Sequence, residues 1–288
     1  MKKSLAFAAS IAALFAVSGT AQAADLDTAC VQAVSGFNGK IEGAAGFIDQ
    51  DVAIIGGPVV NEDGARFHGA GSLSLPLGCM LGVQVDAAAG DIAGQTFVGG
   101  AAHVFMRDPS SYLVGVHGMY TNIDNALAPG DNDIWRVGPE VEFYLNNFSI
   151  EAWAGLESSD SNGEDFFATV DLAMYATEDL RLNVGFRRFL DINAFAAGAE
   201  WQVSDTMPVS LFVEGQFGEN DYATVFGGVK FYFGGEQKSL IRRHREDDPR
   251  NRVPDLVGFG QAVGAGGGEL IEGPMQSCPP ICKDIDVF

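Results

Sequence analysis

The chain has 288 residues and a formal net charge of −21, with 17 Lys and Arg against 38 Asp and Glu. Hydrophobic residues make up 47% and aromatic residues 10% of the chain, which excludes an acidic disordered protein, because such chains are poor in aromatic and β-branched residues. The acidic balance also argues against nucleic acid as a partner, since phosphate contacts require a basic surface.

The first 23 residues have the pattern of a secretory signal peptide. A basic start (Met1-Lys2-Lys3) precedes an apolar stretch over residues 5–17 and an A-x-A cleavage site at Ala21-Gln22-Ala23. The apolar stretch is shorter than the ~18 residues of a membrane-spanning helix, which makes an N-terminal anchor the less favoured interpretation. The sequence therefore predicts export, with a mature chain that starts at Ala24 in an oxidising compartment.

The predicted barrel domain spans residues 24–235. From Gly36 to Gly234 the sequence has no sustained helical period and instead alternates apolar and polar residues. In residues 148–157, for example, every second side chain is apolar and the others include Ser149, Glu151 and Glu157. This period of two is typical of β-strands. Each segment is as long as the ~9–11 residues that a tilted strand needs to cross a bilayer. Twelve such segments are predicted, at about 37–48, 65–77, 80–88, 95–107, 111–122, 133–145, 148–158, 165–176, 180–190, 193–202, 208–218 and 222–233.

The connections and the two faces of these segments favour a membrane barrel. Connections after even-numbered segments are short, and those after segments one, five and seven are longer, as in outer-membrane barrels. A soluble β-sandwich or barrel would also alternate, but here all twelve segments carry an apolar face opposite a charged one. The predicted fold is an all-β, antiparallel, up-and-down transmembrane β-barrel with both termini in the periplasm. Aromatic residues near segment ends suit interfacial girdles: Tyr112, Tyr120, Phe143, Tyr144, Phe189, Phe231, Tyr232 and Phe233.

The signal peptide, the Gly-rich alternating segments and the last segment, residues 225–233 (VFGGVKFYF), resemble the porin-family outer-membrane β-barrels of Gram-negative bacteria. Residues 35–40 and 72–78 are similar to a small, poorly characterised alphaproteobacterial branch. The resemblance covers about residues 1–240 and implies that the protein resides in the outer membrane and that Phe233 is read by the barrel-assembly machinery. About fifty-five residues follow Phe233, unlike the family pattern, which leaves open whether Phe288 is read as well.

Strand parity assigns a set of charged side chains to the lumen. This balanced set has two interpretations: a paired polar network that closes a narrow barrel, or a charged constriction along a water path. Twelve strands lie between the filled eight-stranded barrel and the open sixteen-stranded porin, so any pore should be narrow. The predicted lumen-lining residues are Lys40, Glu42, Arg66, Asp86, His103, Arg107, His117, Arg136, Glu140, Glu142, Glu151, Asp171, Arg181, Arg187, Glu200, Glu214 and Lys230, with His68 and Glu157 on the same side.

The connections predicted to lie outside the cell, with their strand edges, carry charge of one sign. Fourteen acidic residues and no Lys or Arg occur there: Asp49, Asp51, Glu62, Asp63, Asp91, Asp124, Asp131, Asp133, Asp160, Glu164, Asp165, Asp191, Glu219 and Asp221. Such a surface concentrates cations, which predicts a preference for cationic solutes or divalent bridges to lipopolysaccharide. An acidic surface that only maintains solubility is an equally supported alternative. No loop matches an EF-hand, so no dedicated calcium site is predicted.

The four cysteines and the C-terminal segment complete the pattern. Cys30 with Cys79, and Cys278 with Cys282, are plausible disulfides, although four cysteines allow three pairings. No His lies near either pair, so neither a metal nor a cofactor is expected. Residues 236–288 are interpreted as a mostly irregular, charged and Gly-rich periplasmic tail. Three roles are open for it: a flexible linker, an anion-binding cluster (Arg242, Arg243 and Arg245), or a plug in the barrel mouth.

The predicted function is a narrow porin-like channel for passive passage of small polar or cationic solutes. The alternative is a closed-lumen structural or adhesive surface barrel. Its best adhesive candidate is the long first loop, residues 49–64, because residues 52–55 are apolar and expected to be exposed there. A hydrolase would need a nucleophile and a base. His103, His117, Ser72 and Ser74 are available, but neither G-x-S-x-G nor H-E-x-x-H occurs, so no catalytic residue is predicted.

Overall fold

The computed structural model describes residues 31–53, 59–124, 131–160, 163–190, 192–204 and 207–257. Several predicted features lie outside these ranges: the signal peptide, Cys30, Asp191, Cys278, Cys282 and Phe288, together with the side chain of Glu62.

Twelve antiparallel strands form one closed barrel, in which each strand pairs with its neighbours along the chain and β12 pairs with β1. The predicted fold class, strand number and strand order are thereby confirmed. The strands are β1 (Asn38–Ala53), β2 (Val59–Leu77), β3 (Leu81–Ile92), β4 (Gln95–Asp108), β5 (Tyr112–Asp124), β6 (Asp131–Leu145), β7 (Phe148–Ser159), β8 (Gly163–Thr177), β9 (Leu180–Phe189), β10 (Ile192–Ser204), β11 (Met207–Gly218) and β12 (Ala223–Gly234).

The two ends of the barrel differ in their connections. We call the end at which β1 joins β2, and β11 joins β12, the loop end, and the opposite end, at which β2 joins β3, the turn end. The predicted first loop, residues 49–64, is mostly strand, because β1 and β2 pair as far as Ala53 and Val59. The acidic residues at the strand edges therefore do not end the backbone pairing between β1 and β2. Of the predicted adhesive segment, residues 52 and 53 belong to β1, and residues 54 and 55 lie outside the described residues.

The outer surface of the barrel is apolar on every strand. Large side chains that would be buried in a soluble protein are exposed there, including Leu156 at 68%, Phe47 at 66% and Val116 at 56%. A continuous apolar exterior on a closed barrel fits a bilayer, in which all backbone groups must be paired within the protein. The remaining strands contribute exposed apolar residues such as Phe67, Leu81, Val104, Val137, Leu172, Val184, Phe195, Val213 and Val229.

The prediction of interfacial girdles is correct in part. Phe143 and Phe231 are exposed on the outer face near the turn end. Tyr144, Phe189 and Tyr232 are instead buried inside the barrel, at 5%, 2% and 3% exposure. The reason is parity: an aromatic residue near a strand end faces lipid only if its position alternates outward.

The barrel interior near the loop end is an apolar core. Aliphatic and aromatic side chains from most strands pack there around Phe97, Phe167 and Phe189, which are each no more than 2% exposed. A smaller cluster lies at the turn end, where Ala33 and Val34 of the incoming chain contact Phe105, Leu113 and Tyr144. Charged side chains occupy the interior between these two clusters.

The chain that follows β12 turns into the barrel from the turn end. It forms two short helices, α1 (Leu240–Glu246) and α2 (Val253–Val257), joined by an extended stretch. In α1, Ile241 N–H donates to the carbonyl oxygen of Glu178, which lies in the turn between β8 and β9. In α2, Val253 packs into the apolar core. We call residues 236–257 the plug segment. No helix among the described residues is long and apolar enough to cross a membrane.

The plug segment corrects the interpretation of residues 236–288 as a mostly irregular periplasmic tail. Residues 236–257 have the position of a plug, the third of the three alternatives. Many of their polar side chains, from Lys238 to Asp255, are buried within the barrel, although Arg242 is exposed. The physical reason is charge pairing, since Arg250 and Arg252 of the segment pair with acidic groups on the barrel wall. Arg243, one of the three arginines considered for anion binding, is 3% exposed.

Candidate functional site

The predicted lumen-lining side chains all lie inside the barrel. Thirteen of the seventeen are buried, and Glu42, Glu142, Glu214 and Lys230 are half-buried. His68 and Glu157 are buried as well, and Glu157 pairs with Arg136 at 2.6 Å. These residues come from strands on all sides of the barrel, and parity brings them into one interior. Some of them contact the plug segment, and others pair with one another across the wall.

Basic and amide side chains of the wall hold the backbone of the plug segment. Lys40 Nζ and Gln84 Nε2 donate to the carbonyl oxygen of Pro249 at 2.8 and 3.0 Å. Arg66 Nη2 donates to the Pro254 carbonyl oxygen at 2.6 Å, and Arg107 Nη1 donates to that of Asp247 at 3.1 Å. The carbonyl groups of the segment, which are removed from water, are thus partly satisfied by the wall, as buried backbone groups require.

Acidic side chains of the wall hold the arginines of the plug segment. Arg252 Nη1 lies 2.6 Å from Asp171 Oδ2, and Arg252 Nη2 lies 3.5 Å from Glu151 Oε2. Arg250 pairs with Glu214 and lies 3.6 Å from Asp171. We call these five residues the arginine–acid cluster. Two cations of the segment therefore occupy an acidic region of the barrel wall.

Wall arginines and Asp255 extend this cluster. Arg187 Nη2 is 2.9 Å from Asp171 Oδ1 and 3.7 Å from Asp255 Oδ2. Burial raises the pKa of Asp255, but Arg250, Arg187 and Arg252 outweigh burial and lower this pKa to about 2. Gly185 leaves room for the pair, since a Cβ at that position would lie 2.1 Å from Asp171 Oδ1. The cluster is therefore tightly packed as well as charged.

Helix α1 is anchored by a histidine between two tyrosines. The Tyr175 hydroxyl shares a hydrogen bond of 2.9 Å with Nδ1 of His244. The Tyr232 hydroxyl lies 3.3 Å from Nε2 and donates to Glu200. Burial lowers the pKa of His244 to about 3. Glu200 raises this pKa, but nearby cations, Arg181 first among them, lower it further. His244 is therefore neutral when the helix is docked.

Strands β3 to β6 bring a second group of titratable side chains together. His103 lies between two carboxylates, with Nε2 2.9 Å from Asp86 Oδ2 and Nδ1 2.8 Å from Glu140 Oε2. His117 stacks on His103 with ring centroids 3.7 Å apart and on Trp153 at 3.9 Å. We call Asp86, His103, His117 and Glu140 the histidine cluster. Neither ring nitrogen of His103 bonds the hydroxyl of Ser72 or Ser74, since both bond carboxylates.

A cavity of about 40 Å³ remains between the plug segment and the wall. Its lining includes Lys40, Glu142, Arg181 and Lys230 from the wall and Arg250 from the plug segment. The cavity is mostly polar and lies where the sequence predicted a charged lumen, so the interior is not filled completely by side chains.

The cysteines and the terminal aromatic are placed only in part. Cys79 lies in the turn between β2 and β3, and its carbonyl oxygen accepts a hydrogen bond of 2.7 Å from Ala33 N–H. The chain three residues after Cys30 is therefore beside Cys79, while the disulfide pairings stay predictions. Phe233 lies one residue before the end of β12, with its ring against Gly39 of β1 and 6.4 Å from that of Phe37.

The residues that sequence reasoning missed belong to the plug segment. Residues 238–252 are dense in charge of both signs, but strand parity assigns none of His244, Arg250, Arg252 and Asp255 to the lumen. The only local signal for them was this density of charge. Strand parity cannot assign them, because they are not in strands, so their position depends on the direction in which the chain leaves β12.

Comparison with solved structures finds matches of low similarity. The outer membrane channel COG4313 from Pseudomonas putida F1 matches with a TM-score of 0.49 and 12% identity, over 73% of this chain and 100% of that chain. The KdgM porin in complex with disordered oligogalacturonate matches with a TM-score of 0.47 and 8% identity, over 68% and 99%. Outer membrane phospholipase A from Escherichia coli has a TM-score of 0.43 and 10% identity, over 68% and 92%.

We infer neither a solute nor an activity from similarities of this size. No family model and no curated protein matches the sequence. The resemblance to an alphaproteobacterial branch therefore stays a prediction from the sequence.

Proposed function

We propose that the protein is an outer-membrane channel for small polar or cationic solutes whose lumen is closed by its own plug segment. The observation that carries the proposal is the arginine–acid cluster, in which Arg250 and Arg252 bind acidic wall groups. A solute cation would find the same acidic groups once the segment leaves the lumen. The acidic residues at the loop end would raise the local concentration of such cations.

The charged contacts between the plug segment and the barrel wall support an open state in which water fills the interior. Buried ion pairs are weak evidence for stability, because well-packed apolar residues of similar volume are often equally stable or better by ~1–4 kcal/mol. A barrel filled permanently would therefore gain little from charges on both surfaces. Charged groups are needed on the wall if water and ions replace the plug segment in an open state.

A closed structural or adhesive barrel is the second candidate, and a specific observation favours it. The apolar core at the loop end, around Phe97, Phe167 and Phe189, fills the interior on the far side of the plug segment. A channel would require this core to open as well. An enzyme receives less support, because His103 is engaged by two carboxylates instead of a nucleophile.

Single-channel conductance in a planar bilayer tests the proposal. The refolded mature chain is compared with the R250Q/R252Q variant and with R242Q, a control in the same segment whose side chain is 53% exposed. A heat-dependent gel shift first verifies that each barrel is folded. We expect rare openings for the native chain and R242Q, and frequent cation-selective steps under a KCl gradient for R250Q/R252Q.

Two outcomes contradict parts of the proposal in different ways. If all three proteins are folded and silent, even at high salt, the channel is excluded and the closed barrel is favoured. If the native chain conducts as often as R250Q/R252Q, the channel is retained, but the plug segment does not close it.

Location, topology and partners are part of the same proposal. We propose an outer-membrane position with both termini in the periplasm, assembly through recognition of Phe233 by the barrel-assembly machinery, and contact of the acidic loop end with lipopolysaccharide through divalent cations. Disulfides Cys30–Cys79 and Cys278–Cys282 would stabilise the periplasmic side. Membrane fractionation, with protease added to intact cells, tests the location and the sidedness of the termini.

A further inference from the structure

We infer that the histidine cluster is a binding site for a divalent transition metal ion such as Zn²⁺. Asp86, His103, His117 and Glu140 come from four successive strands, β3 to β6, and all face the interior. His103 and His117 are direct partners across β4 and β5, and the potential ligand atoms of Asp86, His103 and His117 lie within 4.8 Å of one another. The inference does not depend on the proposed function.

The hydrogen bonds of His103 already have the arrangement of a metal ligand. Its Nε2 faces Asp86 Oδ2, a potential ligand atom, at 2.9 Å. Its Nδ1 is 2.8 Å from Glu140 Oε2. Metal-binding histidines commonly donate their second ring N–H to a carboxylate, which fixes the ring and the tautomer. Glu140 is placed to orient His103 in this way.

His117 provides the second, independent observation. Its side chain is buried, and neither ring nitrogen has a hydrogen-bond partner. The nearest carboxylate contact of His117 is Glu140 Oε2, 3.9 Å from Nδ1. Buried polar groups are nearly always hydrogen-bonded, so such an imidazole needs an explanation. The ring nitrogens of His68 also lack a hydrogen-bond partner, but only His117 lies beside a second histidine and a carboxylate in one group of potential ligands. A metal ion shared with Asp86 and His103 would provide a ring nitrogen of His117 with a partner.

The donor set selects the class of metal. Two imidazole nitrogens and one carboxylate oxygen suit Zn²⁺ and other first-row transition ions, whereas Ca²⁺ and Mg²⁺ prefer sites made of oxygen atoms. A network of protons alone would satisfy His103 between its two carboxylates, but it would leave His117 without a partner. The metal accounts for both histidines.

Binding requires a small movement with an optical signal. The rings of His103 and His117 are stacked with an interplanar angle of 21°, so their nitrogen lone pairs are close to parallel. Convergence on one ion therefore requires His117 to turn, which changes its stacking on Trp153. The other two tryptophans, Trp135 and Trp201, are exposed on the outer face at 51% and 48%, so a change in Trp153 fluorescence is specific to this site.

The test is titration of the refolded mature chain with Zn²⁺ by calorimetry and with Co²⁺ by visible absorption. Metal is added during refolding and, separately, to the folded barrel, because the site is buried. The variants are His117→Gln and Asp86→Asn in the site and Glu140→Gln beside it. His68→Gln is the matched control, since His68 is another buried lumenal histidine, 3.4 Å from a single carboxylate, Glu42. The heat-dependent gel shift verifies the folding of each variant.

We expect saturable binding of one ion per chain and d–d absorption bands of imidazole-bound Co²⁺. Quenching of tryptophan fluorescence by Co²⁺ should disappear in Trp153→Phe. His117→Gln and Asp86→Asn should lose saturable binding, Glu140→Gln should weaken it about 10- to 100-fold, and His68→Gln should bind as the native chain does. Asp86→Asn keeps the test decisive if His117→Gln does not fold.

Three results would overturn the inference. The first is that the native chain binds no Zn²⁺ in a saturable way under either loading condition. The second is that binding survives both His117→Gln and Asp86→Asn, which would place the ion elsewhere in the chain. The third is that His68→Gln weakens binding as much as His117→Gln, which would indicate a general effect on the lumen.

Discussion

The interior of the barrel is closed by different chemistry at its two ends. Near the loop end, apolar side chains of the strands themselves pack into a core around Phe97 and Phe167. Near the turn end, the interior is filled by the plug segment, which is held by ion pairs and by hydrogen bonds to its backbone. An apolar core depends on shape, whereas a charged interface depends on salt, pH and the pairing of each ion. The two ends should therefore respond to different perturbations.

The largest expected effect is at the apolar end. Phe167→Ala removes a side chain that is 1% exposed and packs edge-on against Trp153 at 4.4 Å. We expect a loss of about 3–5 kcal/mol in the free energy of unfolding, because a large aromatic is removed from a packed core. Urea unfolding followed by the heat-dependent gel shift measures it.

The control for this prediction is the neighbouring residue. Phe166 is 49% exposed on the outer face, so Phe166→Ala should cost much less. Equal destabilisation by the two variants would mean that the loop-end core is not the packed region of the barrel.

The second effect is at the charged end. Asp171→Asn removes the charge that Arg187 and Arg252 share at 2.9 and 2.6 Å. We expect about 3 kcal/mol of destabilisation, since removing one partner leaves buried charges uncompensated, and more frequent channel openings as the plug segment loosens. Chemical denaturation and single-channel recording measure these two quantities.

A matched exposed acid separates pairing from net charge. Asp165 lies 3.8 Å from Arg188, and both side chains are partly exposed, at 26% and 33%. Asp165→Asn removes the same charge but should cost less than about 1 kcal/mol. If its effect equals that of Asp171→Asn, net charge and not the buried pair explains the result.

The third effect is a pH dependence confined to the charged end. The pKa of His244 is about 3 when α1 is docked, against about 6.5 for an unperturbed histidine. The undocked state therefore binds the additional proton between these values, so docking is strongest above pH 6.5 and weakens as the pH falls toward 3. The upper limit is ~1.4 kcal/mol per pH unit.

Hydrogen exchange of residues 240–257, corrected for the intrinsic rate, measures this dependence between about pH 7.5 and about pH 5.5, about one unit on either side of the ordinary histidine pKa of about 6.5. Asp248, whose pKa burial raises, acts in the opposite direction at lower pH, which is the reason for stopping there. His244→Gln should remove the dependence. If lowering the pH accelerates exchange equally in the strands at the loop end, the pH dependence does not arise from the docking of α1.

The smallest effect is at the surface of the plug segment. Arg242 and Glu246 form an i,i+4 pair at 2.7 Å, and the arginine side chain is 53% exposed. Arg242→Gln should therefore change stability by only about 0.3–0.5 kcal/mol and leave conductance unchanged. Denaturation curves that coincide within error would agree with this, and a large shift would mean that α1 is held from its outer face.

Much of the barrel could be predicted from the sequence because a strand leaves a local signature. Alternation at period two identified segments as short as residues 80–88, which form most of β3, and parity directed His103 and Arg187 inward. Strand edges were less predictable. Asp49 and Asp51 belong to β1, because pairing with β2 continues there regardless of residue type.

The sequence by itself determined the twelve strands, their order and the inward side of each, since these follow from local alternation along a chain that closes on its neighbours. Only the tertiary structure decided what fills the barrel. Strand closure brought His117 beside Asp86, and a change of direction after β12 carried Arg252 to Asp171. Contacts between residues so distant in sequence depend on three-dimensional register and charge pairing, which no local pattern records.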